Sequence, residues 1–211
     1  NDNLLNPDKL FKILEYKAYL FGGVEINWKC NSNLIKDNSK IPALKKLCYK
    51  NGIIDYIQFK TSKVPIFTSS RFHGKVKIED ETVEWVITWL LDNETSFIET
   101  FCNTVPTPLG GTHELGFRHA LTKGIRNFAD IKGFKKANEL LYDDLINSTG
   151  SILSIFIKNP QFQGQTKERL VNSSSTKLVE IAIKDRFETW LSNDISVGEA
   201  ILNRTIENYE E

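Results

Sequence analysis

The chain has 211 residues with 27 basic and 27 acidic side chains, so its formal net charge is zero. This balance excludes a strongly basic protein that binds nucleic acid or anionic membranes through its overall field, and it excludes an acidic solvating tail. Hydrophobic residues at 40% and charged residues at 26% are typical of a globular protein, and this length permits a sizeable core in one domain or in one large and one small domain.

The apolar runs and the cysteines bear on two further classes of protein, those that span a membrane and those held together by disulfides or zinc. The longest apolar runs, 86–91 and 152–157, have the length of strands and fall far short of the roughly 18 residues that a membrane-spanning helix requires. The three cysteines, Cys30, Cys48 and Cys102, include no C-x-x-C pair. An odd number of widely spaced cysteines favours a reducing compartment over a disulfide framework or a structural zinc site.

The N-terminal part of the chain predicts a helix, a strand and a second helix. Apolar residues recur with helical spacing over residues 7–18, and the glycine pair at 22–23 ends that helix. Residues 24–30 alternate between apolar and polar side chains, which predicts a half-buried strand. The leucines and isoleucines of residues 42–57 predict a second helix, with Gly52 as its weak point.

The next part of the chain carries the clearest sheet signal. Residues 64–68 and 74–79 predict short strands, and apolar and polar residues alternate over 83–89. The Asp-Asn pair at 92–93 supplies turn chemistry before a return strand over residues 96–105. The simplest interpretation is an antiparallel meander.

A basic helix follows the sheet region. The Pro- and Gly-containing loop 105–111 leads into a predicted helix over residues 112–129. Its polar face carries Lys123 and Arg126, with Arg118 on the flank.

The C-terminal part predicts helices around one buried strand. Residues 135–146, 177–191 and 197–209 have helical patterns, and the near-continuous apolar run 151–158 predicts a central strand that ends in the polar loop 159–167. The fold class is therefore α/β or α+β, with helices packed on a mostly antiparallel sheet.

Three familiar catalytic motifs are incomplete in this chain. His113 and the glutamate after it begin an H-E-x-x-H zinc motif, but Phe117 occupies the second histidine position. Residues 111–116 lie between a strand and a helix like a P-loop, but Phe117 and Arg118 replace its Lys and Ser/Thr. No serine lies in a G-x-S-x-G elbow and no acidic pair suggests acid–base chemistry, so we predict tight-turn glycines with Thr112 as the helix cap.

The loop 161–167 has a different chemistry. It is rich in amide side chains, including Gln165, and it ends in Lys167. Such a set can present several hydrogen-bond donors and one positive charge to a phosphate. A solvated turn is the alternative interpretation, and the spacing alone leaves both open.

Two segments together carry a resemblance to a known family. Residues 103–118, NTVPTPLGGTHELGFR, and residues 160–170, PQFQGQTKERL, resemble the B subunit of bacterial type IIA DNA topoisomerases. Within that family the V-P-T-P and K-E-R-L runs look more like topoisomerase IV than gyrase. Two alternatives stay open: the equivalent part of gyrase B, and a non-enzymatic α/β module that binds nucleic acid or protein.

The resemblance implies a place within a longer protein. Residues 1–192 would form the transducer domain, with a left-handed βαβ fold, between an ATPase domain and a Toprim domain. Residues 193–211 would be a helical connector towards the Toprim domain. The chain contains no Met, and we expect it to begin after the ATPase domain and to stop before the Toprim domain.

The resemblance also implies roles for individual residues. Gln165 and Lys167 would contact the γ-phosphate of an ATP bound mainly by another domain, and would couple ATP binding and hydrolysis to DNA-gate closure and strand passage. Arg118, Lys123 and Arg126 are the possible contacts to the transported DNA. The whole protein would be an ATP-hydrolysing, Mg²⁺-using isomerase, whereas this segment alone would hold no complete catalytic site, bind no metal and be inactive.

The implied partners follow from the same family. They are double-stranded DNA, bound transiently and without sequence preference, the topoisomerase A-type subunit, and a second copy of the B-type chain in a homodimer. The implied location is the bacterial cytoplasm at the nucleoid, in chromosome segregation, with no membrane partner.

Overall fold

The computed structural model describes residues 6–211, which divide into two compact units with the boundary after Lys60. The first unit consists of two helices, one short 3₁₀ helix and a two-stranded antiparallel sheet. Its elements are α1 (Pro7–Leu20), β1 (Ile26–Lys29), the 3₁₀ helix Ser32–Leu34, β2 (Leu44–Leu47) and α2 (Ile53–Lys60).

Helix α1 begins where the sequence predicts it. The Asn6 side chain accepts hydrogen bonds from the backbone N–H groups of Asp8 and Lys9, which satisfies donors that the first turn leaves unpaired. Its apolar face packs Phe11 against Trp28 of β1, with ring centroids 5.3 Å apart. The first predicted helix and the first predicted strand are therefore confirmed.

The predicted helix over residues 42–57 is wrong in its first half. Residues 44–47 form β2, which pairs with β1 so that Leu47 is fully buried while Leu44 is 73% exposed. Gly52 has a φ of 60°, a conformation that no α-helix interior contains, and α2 starts only after it. Strand pairing to β1 thus outweighs the helical spacing of the leucines.

The second unit is a five-stranded sheet with helices packed on it. Its strands and helices, in chain order, are β3 (Phe72–Ile78), β4 (Glu81–Trp89), β5 (Phe97–Cys102), β6 (Val105–Pro106), α3 (Thr112–Ile131), the 3₁₀ helix Ala137–Glu139, α4 (Tyr142–Ile146), β7 (Thr149–Phe156), β8 (Phe162–Gln163), β9 (Arg169–Leu170), α5 (Ser173–Asn193) and α6 (Ile195–Glu210). The strand order is β3-β4-β7-β5-β6, and a separate two-stranded sheet joins β8 to β9.

Strand β7 lies at the centre of the sheet, as its apolar run predicts. Seven of its eight residues are buried, which fits a strand covered on both faces. It pairs antiparallel with β4 and parallel with β5, and the other two pairings are antiparallel. The predicted class, helices on a mostly antiparallel sheet, is confirmed.

The predicted meander is wrong, because β4 and β5 are not neighbours. Strand β7 inserts between them, and the path from β5 to the parallel β7 runs through α3 and α4. A parallel pair needs such a crossover connection. This gives the βαβ unit that the resemblance implies, and its left-handed sense stays a prediction.

Two other local predictions also differ from the structure. Residues 64–68 form no strand and pair only through a bridge between Ile66 and Leu90, next to Pro65, which has no N–H to donate. The predicted helix 135–146 is split into the 3₁₀ helix and α4. The carbonyl of Leu140 at the break accepts a hydrogen bond from Arg126 Nε at 2.7 Å rather than a helical one.

The core of the second unit lies between one face of the sheet and helices α3, α5 and α6. Phe117, Leu121 and Ile125 of α3 are fully buried there. Helices α3 and α5 approach closely, since a Cβ on Gly116 would lie 2.3 Å from the Thr176 carbonyl oxygen. None of the helices in the described part of the chain is long and apolar enough to cross a membrane.

Candidate functional site

Gln165 and Lys167 lie at the tip of the hairpin that β8 and β9 form. Gly164 and Lys167 both have left-handed backbone conformations, with φ of 73° and 57°, and these let the chain reverse over five residues. Both predicted site residues are exposed, and no side-chain hydrogen bond or ion pair joins either of them to another described residue. The tip therefore presents a cation and an amide to solvent.

The base of this hairpin is anchored, in contrast to its tip. The buried Leu170 donates its N–H to the Gly110 carbonyl at 3.1 Å, and Leu109 donates its N–H to the Glu168 carbonyl at 3.0 Å. Gly111 continues this pairing through a parallel bridge to Leu170. The glycine loop before α3 and the hairpin thus form one backbone-bonded structure, which joins the two segments that carry the family resemblance.

Gly111 is a position that only glycine fits. Its φ of 135° and ψ of −158° lie in a region that L-residues essentially never adopt, and a Cβ there would lie 2.2 Å from the Leu170 carbonyl oxygen. Gly111 is also the N-cap of α3. The predicted capping by Thr112 is wrong, because Thr112 is the first helical residue and no side chain caps this helix.

His113 is buried inside the same structure. Its Nε2 lies 3.0 Å from Thr107 Oγ1, and that hydroxyl is also 2.9 Å from the Thr100 carbonyl oxygen. When Thr107 donates to that carbonyl, His113 carries its proton on Nε2. Burial lowers the pKa of His113 to about 4, so the ring is neutral at pH 7. Among the described residues no group of three or more His, Cys, Asp or Glu side chains is arranged to hold a metal.

We predict an acid-sensitive contribution of His113 to stability. Above pH 6.5 neither the folded nor the unfolded state protonates this ring, whereas between pH 6.5 and about 4 only the unfolded state does. The free energy of unfolding should therefore fall by about 3 kcal/mol over this range because of His113. Urea unfolding of the wild type and His113→Gln at several pH values measures it. Equal acid losses in the two proteins would contradict the prediction.

The three basic residues predicted on α3 all have partners within the second unit. Arg118 bonds Glu114 at 3.1 Å and Asp143 at 3.4 Å, and Arg126 donates to the Leu140 carbonyl. Lys123 forms an ion pair with Glu180 of α5. Arg118 and Lys123 remain 40% and 54% exposed, so a ligand could still reach them. They lie on the same helix but share none of these partners.

The structure brings Arg118 to the hairpin, which the sequence pattern does not indicate. Arg118 and Arg169 line one cavity of about 320 Å³ together with Gly111, Glu114 and Leu170. The Glu114–Arg118 spacing of four residues is a recognisable helical ion pair in the sequence. The approach of Glu114 to the glycine loop has no sequence signal, because it depends on the fold of residues 105–111.

The donor set of the hairpin tip fits a phosphate. A lysine ammonium and an amide N–H are both donors to phosphate oxygens, and the tip exposes the two side chains two residues apart in sequence. Glu168 is the acidic residue next to them, and it accepts a hydrogen bond from Thr166 at 3.1 Å. The tip therefore offers solvent a donor set whose chemistry suits an anion.

Comparison with known proteins adds independent evidence. The family model described as DNA gyrase B matches residues 52–211. The B subunits of DNA topoisomerase 4 from Caulobacter vibrioides and Bartonella bacilliformis are each 40% identical to this chain, over 210 and 208 residues, covering 97% and 98% of the chain. The chain spans 30% of the length of each of these relatives.

Solved structures share the fold. The topoisomerase IV ATP-binding domain of Francisella tularensis superposes with a TM-score of 0.79 at 24% identity, over 99% of this chain and 54% of that one. The 43K ATPase domain of Thermus thermophilus gyrase B superposes with a TM-score of 0.78 at 21% identity, over 98% of this chain and 54% of that one. At these identities the likeness establishes the mixed α/β fold alone.

Proposed function

The chain belongs to the DNA gyrase B family, and we propose that it is the transducer part of the B-type chain of an ATP-dependent type II DNA topoisomerase. The relatives from topoisomerase 4 support topoisomerase IV rather than gyrase. In this proposal residues 1–192 carry the transducer role, and 193–211 lead towards the Toprim domain. The whole protein is the enzyme, and this chain alone does not turn over ATP.

The proposal rests on the β8–β9 hairpin. Its base is hydrogen-bonded to the glycine loop before α3, while Gln165 and Lys167 at its tip have no side-chain hydrogen bond or ion pair to another described residue. Lys167 and Gln165 contact the γ-phosphate of an ATP that another domain binds, and Mg²⁺ belongs to that domain. A lysine on one rigid body that bonds a phosphate on another couples the presence of the phosphate to the relative orientation of the two bodies. A charge-assisted hydrogen bond of about 1.5–3 kcal/mol biases such an equilibrium about 10- to 150-fold.

The proposed partners are those of the whole topoisomerase. They are double-stranded DNA, the A-type subunit and a second copy of the B-type chain, in the bacterial cytoplasm. The test is reconstitution of the full-length protein with its A-type subunit. If the protein is a topoisomerase IV, the reconstituted enzyme should show ATP-dependent decatenation and relaxation without negative supercoiling. Supercoiling would indicate gyrase instead, and the absence of any ATP-dependent strand passage would reject the proposal.

Arg118, Lys123 and Arg126 are the proposed contacts to the transported DNA. Their contribution is electrostatic and independent of sequence, because α3 offers cations to phosphates rather than side chains to base edges. Lys123 is more exposed than Arg118, at 54% against 40%. It is therefore the residue on which this role is tested.

We predict that Lys123→Gln lowers DNA-stimulated ATP turnover of the full-length protein about twofold to fivefold, while basal turnover is unchanged, because one phosphate contact is lost. The effect should decrease as salt rises. Glu180→Gln is the matched control, since it breaks the same ion pair but leaves the lysine charge free. Equal losses in both variants would mean that the ion pair, and not DNA binding, is responsible.

A further inference from the structure

Among the described residues, the one side-chain hydrogen bond within the hairpin tip joins Thr166 to Glu168, and none ties Gln165 or Lys167 to the rest of the unit, so the hairpin base sets the position of the tip. No side-chain hydrogen bond or ion pair joins Gln165 or Lys167 to another described residue, whereas the residues at the hairpin base are bonded to the loop before α3. Leu170 donates to Gly110, and Glu168 accepts from Leu109. Any displacement of that loop therefore moves the residue next to Lys167.

The loop in turn rests on the Glu114 carboxylate. A Cβ placed on Gly110 would lie 2.1 Å from Glu114 Oε2, so the carboxylate occupies the space directly over the glycine. Gly110 has a φ of 63°, which glycine adopts without strain, and it has no Cβ that would displace the carboxylate. The carboxylate, only 17% exposed, thus supports the loop at the point where the loop bonds the hairpin.

Arg118 holds that carboxylate in place. Its Nε and Nη2 both bond Glu114 Oε1, at 3.2 and 3.1 Å. The other side of the guanidinium is fixed by Asp143 at 3.4 Å and by the Tyr142 ring, whose centroid lies 4.3 Å away. Arginine suits this position because its planar group can bond carboxylates and stack on an aromatic ring at the same time. Arg118 therefore ties α4 to the start of α3.

We propose that Arg118 is a positioning residue for Lys167, acting through Glu114 and the Gly110–Leu170 contact. This rests on the proposed function, in which Lys167 bonds the γ-phosphate. It gives Arg118 a role beyond that of a candidate DNA contact. The chain of contacts runs from Arg118 to Glu114, from Glu114 to Gly110, and from the glycine loop to the hairpin base.

The first test measures the hairpin without nucleotide. Trypsin cleaves after Lys167, so the initial cleavage rate at this bond in the full-length protein, followed by mass spectrometry, reports how often the tip opens locally. Arg118→Gln should raise this rate about fivefold, and Arg118→Lys less, because lysine keeps one ion pair. Cleavage after Lys177 on α5 reports unfolding of the whole unit and should be unchanged. An unchanged rate after Lys167, or equal increases at both bonds, would overturn the proposal.

The second test uses the nucleotide and the phosphate contact itself. Arg118→Gln should lower the kcat for ATP about fivefold and leave ADP affinity unchanged, because ADP has no γ-phosphate. In a Lys167→Ala background the same substitution should have no further effect, since the residue that it positions is gone. Full additivity would overturn the proposal and would be the result expected of an independent DNA contact.

Two controls separate the possible failures. Lys132→Gln removes an ion pair to Glu199 at the opposite end of α3 and should leave both the cleavage rate and the kcat unchanged. If Lys167→Ala alone has no effect on ATP turnover, the proposed function fails. The trypsin experiment then still decides whether Arg118 positions the hairpin.

Discussion

Replacing Lys167 by alanine in the full-length protein is expected to lower ATP turnover by about 10- to 150-fold, the bias that one charge-assisted hydrogen bond supplies. The loss should appear in kcat, because the contact forms only when the γ-phosphate is present. Folding should be unaffected. Lys167 is exposed and adopts a left-handed conformation with φ of 57°, so alanine removes no packing at this position.

Steady-state ATPase kinetics measure this effect. Lys177→Ala, which removes a lysine from α5 instead, is the matched control and should keep normal turnover. Gln165→Ala should give a smaller loss than Lys167→Ala, since an amide bonds phosphate without a charge. If Lys167→Ala has normal ATP turnover, and a urea unfolding curve shows that the variant is folded, this hairpin does not sense phosphate.

Gly111→Ala is expected to destabilise the protein by about 4 kcal/mol, the sum of strain and overpacking. The added methyl would have to occupy a backbone conformation that only glycine adopts and would lie 2.2 Å from the Leu170 carbonyl oxygen. The backbone of Leu170 cannot yield without moving the hairpin base. ATP turnover of the full-length protein should therefore fall as well, even below the temperature at which the variant unfolds.

Gly133→Ala gives the cost of an alanine at a positive φ without a close contact. Gly133 also has a positive φ, of 80°, but a Cβ there would meet nothing within 4 Å. Gly133→Ala should thus cost only the strain, about 1 kcal/mol, and leave ATP turnover unchanged. Denaturant unfolding of both variants gives the comparison. If Gly111→Ala were no more destabilising than Gly133→Ala, the close contact with Leu170 would not matter to the fold.

Elements with a strong local pattern can be predicted from the chain itself. The central strand β7, the alternating strand β4 and the long helices α3 and α5 are in place, because their hydrophobic period matches the surface that they bury. The hairpin tip with Gln165 and Lys167 is also identifiable by its composition. Exposed side chains that can donate hydrogen bonds to a phosphate can be recognised from residue types alone, because their role does not depend on how they pack.

Predictions failed where distant residues compete with the local pattern. The predicted helix over 135–146 is interrupted at Leu140, because the carbonyl of Leu140 accepts a hydrogen bond from Arg126 on another helix. The leucines at 44 and 47 follow a helical spacing, yet they lie in the strand β2, which pairs with β1. In each case a contact between residues far apart in the sequence offers the backbone hydrogen bonds that a local helix would otherwise provide.

The sequence by itself determined the family, the class of fold and the two segments that make up the candidate site, because these depend on residue types and on local periodicity. Only the tertiary structure decided that β7 separates β4 from β5 and that Gly111 and Leu170 join the two segments. It also decided that Arg118 bonds Glu114, whose carboxylate lies next to Gly110. Strand order and contacts of this kind depend on which distant groups satisfy one another's hydrogen bonds and charges, and the local spacing of residues carries no record of that choice.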